Sequence, residues 1–205
     1  SATPPRSVPP LGQRIAIAFD DAFRFSYRHV IDGWKAAGAE ILPFSPLADE
    51  AADASADAVY LPGGYPELHA AKLSANRSFL DGLRAAAGRG ATIYGECGGF
   101  MVLGESLTDA DGAIHEMAGL LPLNTSFAER RLHLGYRNAV LASGSPLGAA
   151  DDAYGAHEFH YASIVEQGAA EALFSVSDAA GVDLGAMGLR AGTVMGSFIH
   201  LIDRR

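Results

Sequence analysis

Cysteine is almost absent from this sequence: Cys97 is the only one among 205 residues. A single cysteine excludes an internal disulfide framework, and it also excludes a structural zinc site built on paired cysteines. The scarcity of cysteine fits a reducing, intracellular compartment. The sequence therefore predicts a cytoplasmic protein.

Long apolar segments are also missing. No uncharged apolar stretch approaches the roughly 18 to 20 residues that span a membrane. The opening residues, SATPPRSVPPLGQ, lack the apolar core of a signal peptide. Neither a membrane anchor nor a membrane partner is predicted.

Basic residues are few: 15 stand against 24 acidic ones, which gives a formal net charge of −9. No part of the sequence forms a basic stripe, so a nucleic-acid partner is not predicted. Hydrophobic residues make up 49% of the chain, which suffices for a sizeable core in one domain.

The first 13 residues are rich in proline. Four of the ten prolines lie at positions 4, 5, 9 and 10. This composition is typical of a semi-rigid linker between domains, and an ordinary frayed terminus is the alternative. The folded domain is predicted to cover residues 14–205.

Short apolar runs and helical periodicity alternate after residue 14. Strands are predicted at 14–20, 39–44, 57–64 and 91–96, and helices at 24–37, 66–73, 78–88 and 98–107. This alternation predicts an α/β fold: a three-layer, open, mostly parallel sheet with helices on both faces. Further strands, some of them antiparallel, are predicted in the C-terminal half at 131–142, 158–166, 172–178 and 193–201.

The single cysteine lies in the segment YGECGGFM, directly after a predicted strand and before a predicted helix. Glycines two positions before and two after Cys97 match the spacing of a nucleophile elbow, in which the reactive side chain sits on a sharp strand-to-helix turn. The small neighbours give the strained turn its room. The sequence therefore favours a nucleophilic Cys97 over a merely buried one.

A cysteine nucleophile needs a base within hydrogen-bonding reach. Three of the seven histidines, His29, His69 and His115, occur in helical or loop segments of mixed polarity typical of solvated side chains. His200 ends the apolar segment GSFIH, where the carboxyl end of a strand is predicted, as is the case for Cys97. His200 is the favoured base, and His157 and His160 are its rivals.

The turn LPGGYPE at 61–67 ends a predicted strand one βα unit before the elbow. Its backbone N–H groups and that of Gly98 are candidates for an oxyanion hole, and a plain tight turn is the alternative. The segment is not a phosphate loop, because no Gly-Lys-Ser/Thr follows.

The segment GAHEFHYAS at 155–163 combines histidines with a carboxylate. On a strand, His157 and Phe159 point to one face, and Glu158 and His160 to the other. His157 and Glu158 therefore cannot converge on one ion, and no metal site is predicted.

Taken together, the segments RIAIAFDDAFRFSY, LPGGYPEL, YGECGGFM, LGYR, GAHEFHY and GSFIHL resemble the class I, triad-type glutamine amidotransferases. Within that class they are most similar to the C-terminal glutaminase domains of the cobyrinic acid a,c-diamide synthase family. The resemblance covers nearly the whole chain after the proline-rich start, and it implies a flavodoxin-like fold.

The resemblance implies that Cys97 attacks the side-chain amide of L-glutamine and that His200 assists it. It implies an oxyanion hole at Gly64 and Gly98. Substrate contacts are expected from the neighbouring motif residues, namely Gly63, Tyr65, Tyr136, His157, Glu158, Phe159 and His160.

One position departs from the class pattern. The wider class has a glutamate two residues after the catalytic histidine, where this chain has Ile202 followed by Asp203. Either a Cys97–His200 dyad suffices, or Glu158 or another carboxylate takes the third place. The dyad is the expectation.

The resemblance also implies a partner. Family members carry an N-terminal synthetase domain that uses ATP and Mg²⁺ to activate the a and c carboxylates of the corrinoid in cobalamin biosynthesis. Residues 1–13 would then be the linker to that domain, and this chain would need no cofactor of its own. Association of two copies of the chain into a homodimer is also left open. Two other functions remain open at this point: a different cysteine hydrolase on the same fold, and a non-catalytic partner subunit.

Overall fold

A computed structural model describes residues 6–205, so residues 1–5 of the predicted linker lie outside the described part. From Arg6 the chain packs on the domain. Arg6 forms a β-bridge with Arg204, and Val8 and Leu11 are buried beside Trp34. The described half of the predicted linker therefore contributes to the core.

The chain forms four α-helices and fourteen strands among these residues. The helices are α1 (Arg28–Ala36), α2 (Ala70–Ala75), α3 (Arg77–Gly88) and α4 (Gly98–Leu103). The first seven strands are β1 (Arg14–Ala18), β2 (Glu40–Phe44), β3 (Ala58–Leu61), β4 (Thr92–Glu96), β5 (Ser106–Thr108), β6 (Ile114–Glu116) and β7 (Leu123–Ser126). The others are β8 (His133–Leu141), β9 (Ala153–His160), β10 (Ser163–Gln167), β11 (Glu171–Asp178), β12 (Asp183–Ala191), β13 (Val194–Ser197) and β14 (Ile199–Arg204).

Five parallel strands in the order β2-β1-β3-β4-β13 form one half of a ten-stranded sheet. The sequence of β3, AVYL, is buried at every position. A strand covered on both faces reads as a continuous apolar run, which explains why these strands could be recognised from the sequence.

Helices cover both faces of this parallel half. On one face, Val30 and Trp34 of α1 pack with Ile15 of β1. On the other, α3 and α4 bury Leu83 and Phe100 in a second core. The predicted three-layer α/β architecture is confirmed.

The other half of the sheet is antiparallel and continues in the order β12-β11-β8-β9-β14. Only Phe198 separates β13 from β14, although these two strands stand at opposite ends of the antiparallel group. The antiparallel half must therefore curl until its first and last strands meet. This closure brings the start of β14 next to the carboxyl end of β4.

Three predicted elements differ from the structure. The segments 158–166 and 193–201 were each predicted as a single strand, but each spans parts of two strands. The first is interrupted after His160, between β9 and β10, and the second at Phe198, between β13 and β14. The helix predicted at 98–107 ends at Leu103, because Gly104 adopts an extended backbone (φ −67, ψ −177). The chain then enters β5, which belongs to a second sheet in the order β10-β7-β5-β6. No helix among residues 6–205 is long and apolar enough to cross a membrane.

Candidate active site

Cys97 lies on the sharp turn between β4 and α4. Its backbone has φ 48 and ψ −102, a conformation that non-glycine residues rarely adopt and that costs energy to maintain. Two hydrogen bonds hold the turn: the Cys97 N–H donates to the Ser197 carbonyl over 2.8 Å, and the Met101 N–H donates to the Cys97 carbonyl over 3.1 Å. Strain at one cysteine, held by the surrounding backbone, is the geometry of a nucleophile elbow.

The two glycines that frame Cys97 are required by space. A Cβ atom on Gly95 would lie 2.7 Å from the Gly99 carbonyl carbon, and one on Gly99 would overlap the Leu61 carbonyl group. The sequence prediction that small residues flank the elbow because of the close backbone approach is confirmed.

His200 is the second residue of β14 and is buried. Its ring packs against Gly63, where a Cβ atom would overlap the His200 Cε1 atom. Its Nδ1 atom lies 3.6 Å from the Glu96 Oε2 atom. The curled sheet therefore places the predicted base beside the residue that precedes the predicted nucleophile.

Glu96 is a buried carboxylate that was not among the residues predicted from the sequence. Its Oε2 accepts a hydrogen bond from the Tyr60 hydroxyl over 2.7 Å, and its Oε1 accepts one from the Tyr94 hydroxyl over 3.1 Å. The Leu201 backbone N–H also donates to Oε1 over 3.0 Å. Three donors fix the carboxylate behind His200, so Glu96 is a candidate for the third place beside the expected dyad.

The surroundings of His200 raise its pKa to about 10. Burial has the largest single effect and lowers the pKa, but the interactions of the ring with Cys97 and Glu96 outweigh it. His200 is therefore an imidazolium at neutral pH. A positively charged imidazole is the partner that a thiolate nucleophile needs.

This raised pKa predicts a pH-dependent contribution to stability. The folded chain holds the His200 proton up to about pH 10, whereas the unfolded chain releases it near its ordinary value of about 6.5. The stabilisation is complete below about pH 6.5 and is lost as the pH rises through 10. The free energy of unfolding, measured with urea, should exceed that of His200→Gln most at pH 6 and progressively less towards pH 10. A difference that stays constant with pH would contradict the assignment.

The N–H groups of Gly64 and Gly98 are candidate oxyanion donors. A Cβ atom on Gly98 would lie 3.0 Å from the Gly64 nitrogen, so the two backbone segments approach closely. Among the described residues, neither N–H donates a hydrogen bond to a protein acceptor. Two adjacent free donors beside a cysteine suit a developing negative charge on oxygen.

The contact between Gly63 and the His200 ring predicts a sharp steric effect. A methyl group in Gly63→Ala must displace the ring, and misplacement of a catalytic group by about 1 Å can cost 10²-fold in rate. We expect kcat/KM for the reaction at Cys97 to fall by about 10- to 100-fold. Gly88→Ala is the matched control, because nothing lies within 4 Å of the added methyl. Equal activity of the two variants would refute the packing argument.

Two cavities adjoin at Cys97 and His200. One is lined by Cys97 and by residues from four other segments, namely Phe25, Gly64, Tyr65, Glu67, Met101, Phe127, Phe159, His160 and Tyr161. The other lies against His200 and is lined by Arg24, Phe25, Ser26, Tyr27, Tyr65, His157 and Phe159. Phe25, Tyr65 and Phe159 border both. The structure therefore brings the predicted residues Tyr65, His157, Phe159 and His160 to the site.

Two predicted residues lie elsewhere. Tyr136 is exposed and reaches the site only through its ring contact with His157, with centroids 5.4 Å apart. Glu158 lies on the opposite face of β9, where it accepts hydrogen bonds from Arg137 over 2.8 Å and His160 over 2.9 Å. Burial raises the Glu158 pKa, but these two bonds lower it overall.

No hydrogen bond or ion pair joins Glu158 to His200 among the described residues. Asp203 is also turned to another partner, since its Oδ1 accepts the Gly155 N–H over 3.2 Å. His133 lies with Glu158 and His160 in a group with ligand-type atoms within 4.8 Å of one another, which the sequence analysis did not anticipate. The His133 and His160 rings are stacked, with their centroids 4.5 Å and their planes 3° apart.

Comparisons with known proteins bear on the family and on the fold. Residues 14–205 match the model of the CobB/CobQ-like glutamine amidotransferase domain family. A solved glutamine amidotransferase superposes with a TM-score of 0.60 at 16% identity, covering 91% of this chain and 89% of that one. The PurLQS structure from Thermotoga maritima gives 0.58 at 17% identity, covering 91% and 86%. At these identities the superpositions show the fold alone.

Sequence relatives are much closer. A hydrogenobyrinate a,c-diamide synthase from a Sinorhizobium species is 64% identical over 194 residues, and one from Brucella anthropi is 59% identical over 194 residues. Both alignments cover 95% of this chain but 44% of the relative, so the chain spans less than half the length of these proteins. The match of the family model over almost the whole chain shows that this chain belongs to the CobB/CobQ-like glutamine amidotransferase domain family.

Proposed function

We propose that this chain hydrolyses the side-chain amide of L-glutamine, giving glutamate and ammonia, through a thioester on Cys97. The observation that carries the proposal is the convergence of three groups. A strained, elbow-mounted Cys97, a buried His200 and a buried Glu96 lie together at one end of the parallel strands. Family membership favours this function over another type of cysteine hydrolase and over a non-catalytic subunit.

In the first half-reaction the Cys97 thiolate attacks the amide carbon, and a carbon–sulfur bond forms. The carbonyl oxygen takes up the negative charge opposite the N–H groups of Gly64 and Gly98. The His200 imidazolium gives its proton to the amide nitrogen, the carbon–nitrogen bond breaks, and ammonia leaves. A γ-glutamyl thioester and a neutral His200 remain.

In the second half-reaction water attacks the thioester. Neutral His200 takes a proton from the water, the carbon–oxygen bond forms, and the carbon–sulfur bond breaks. Glutamate leaves, and the thiolate and imidazolium are restored. His200 therefore acts as an acid in the first half-reaction and as a base in the second, because it loses its proton in the first and regains one in the second.

Glu96 acts through His200. Its carboxylate holds the Nδ1 side of the ring and stabilises the imidazolium, while the other ring nitrogen remains for Cys97 and the leaving group. A separation of 3.6 Å is long for a hydrogen bond, and such catalytic contacts tighten when substrate binds. We assign Glu96 the position that the glutamate after the histidine holds in the wider class.

The ammonia is proposed to serve a longer protein. The relatives at 59 to 64% identity are hydrogenobyrinate a,c-diamide synthases more than twice as long as this chain. By resemblance, an ATP- and Mg²⁺-dependent synthetase domain would use the ammonia to amidate the a and c carboxylates of cobyrinic or hydrogenobyrinic acid in the cytoplasm. No residue of this chain is assigned to ATP or Mg²⁺, and a homodimer remains part of the proposal.

The proposal is tested by incubating the chain with L-glutamine, alone and with the synthetase domain restored, and by following glutamate and ammonia. Equimolar release of both products is expected. Turnover of peptides or esters without turnover of glutamine would support another cysteine hydrolase. The absence of any turnover in both forms would refute the catalytic function.

A further inference from the structure

Glu67 is a partly buried carboxylate whose charge is not balanced inside the cavity at Cys97. Glu67 belongs to the 3₁₀-helix Pro66–His69, which follows Gly64 in the chain. Its side chain lines the cavity at Cys97. Its Oε2 atom is fully buried and has no hydrogen-bond partner among the described residues. A buried carboxylate oxygen without a donor is costly, and such atoms in folded proteins call for an explanation.

We propose that Glu67 binds the α-ammonium group of L-glutamine and so selects free amino acids over other primary amides. This inference rests on the proposed glutaminase function. An ammonium group supplies three N–H donors and a positive charge, which is what the buried Oε2 lacks. Binding of the substrate would complete the hydrogen bonding of this carboxylate.

The lining of the cavity supports a cationic group at this point. Glu67 is its only carboxylate among the residues described, and aromatic and sulfur side chains, including Tyr65, Met101 and Phe159, form most of the remaining wall. Charge pairing in such surroundings is stronger than in water. Burial raises the pKa of Glu67, and its own backbone N–H and the charge of Arg130 oppose that rise. An incoming ammonium would favour the carboxylate in the same way as Arg130 does.

The covalent geometry of glutamine agrees with this placement. If the amide carbon lies at Cys97, with its oxygen towards the N–H groups of Gly64 and Gly98, the α-carbon end must lie in one of the two adjoining cavities, and Glu67 lines the one at Cys97. Glu67 is three residues from Gly64 along a tight helical turn, so the oxyanion donor and the ammonium acceptor are held in one rigid segment. The segment PGGYPE would thus both stabilise the reaction and recognise its substrate.

The test uses Glu67→Gln, which keeps the shape of the side chain and removes its charge. The probe is 6-diazo-5-oxo-L-norleucine, a glutamine analogue whose diazo carbon becomes bonded to a thiol sulfur, with the thiol proton transferred to that carbon and N₂ released. We expect its second-order inactivation rate constant at Cys97 to fall by about 10- to 100-fold, the effect of losing a charge-assisted hydrogen bond. Alkylation by iodoacetamide, which has no ammonium group, should change by less than about twofold.

Steady-state kinetics provide a second readout. For L-glutamine, KM should rise by a similar factor while kcat changes little, because an interaction equal in ground and transition states is lost. For glutaric acid monoamide, which lacks the ammonium group, kcat/KM should be the same in both proteins. Glu116→Gln, at an exposed position in β6, is the matched control and should match the original chain in every assay.

The outcomes separate the two proposals. Equal losses for glutamine and for the monoamide, or equal losses with both alkylating agents, would overturn the role of Glu67 and leave the glutaminase function intact. If the unaltered chain neither hydrolyses glutamine nor reacts with the analogue faster than with iodoacetamide, the glutaminase function fails and the inference fails with it.

Discussion

Replacing Cys97 with serine is expected to lower kcat for glutamine hydrolysis by at least about 10³-fold, because a hydroxyl is a far weaker nucleophile than a thiolate at neutral pH. The elbow should remain intact, since serine has nearly the same size and the flanking glycines still admit the turn. Release of ammonia from glutamine is the measurement, with Cys97→Ala beside it to reveal any reaction supported by the serine hydroxyl.

Alkylation gives this prediction a clean control. Cys97 is the only cysteine in the chain, so any label introduced by a thiol reagent reports on that one site. Loss of labelling and of hydrolysis together, at an unchanged unfolding temperature, assigns the activity to the thiol. Persistent hydrolysis in both variants would place the nucleophile elsewhere.

Replacing Glu96 with glutamine is expected to lower kcat/KM by about 10²- to 10³-fold, within the range that acid–base catalysis contributes. The neutral amide keeps the shape of the side chain but removes the charge that helps to raise the His200 pKa to about 10. The basic limb of the pH–rate profile should therefore move to lower pH. A role in packing alone would lower the rate without moving this limb.

Glu158→Gln is the matched control for Glu96, since Glu158 is the other buried glutamate near the site. It is hydrogen-bonded to Arg137 and His160 and makes no side-chain hydrogen bond or ion pair with His200 among the described residues. Its replacement should leave the position of the basic limb unchanged. If the profile moves in Glu158→Gln and not in Glu96→Gln, the third carboxylate has been assigned to the wrong residue.

Much of the parallel half of the fold is encoded in local sequence patterns. Strands β1, β3 and β4 are short, mostly apolar and mostly buried because both of their faces are covered, and α3 carries apolar residues at helical spacing. Such signals depend on burial alone, so they can be recognised without knowing which helix packs against which strand.

The elements that were missed lack such a signal. The strand β12 contains the segment DLGAMG and is exposed or half-buried along most of its length, so no apolar face marks it. The strand β5 directly follows α4, and its residues extend the apolar pattern of that helix. Its strand conformation depends on pairing with β6 and β7, which no local pattern reveals.

The candidate site shows the same division. Cys97 and His200 each belong to a short contiguous segment, and the role of each residue can be recognised from its immediate sequence neighbours. Glu96 could not be assigned in this way, because its role depends on β14 returning to the end of β4. A charged residue as the last member of a buried strand, next to the nucleophile, was the available signal. The carboxylate named from the sequence for the third place was Glu158, and Glu96 was not named.

Trapping the covalent intermediate tests the central claim most directly. The chain is mixed with isotope-labelled L-glutamine and quenched with acid, and its peptides are analysed by mass spectrometry. The account predicts a γ-glutamyl group on the peptide that contains Cys97, absent from Cys97→Ser and more abundant in Glu96→Gln if that variant slows hydrolysis of the thioester. Glutamate formation at an undiminished rate in Cys97→Ser, with no adduct on Cys97 in the original chain, would contradict the account.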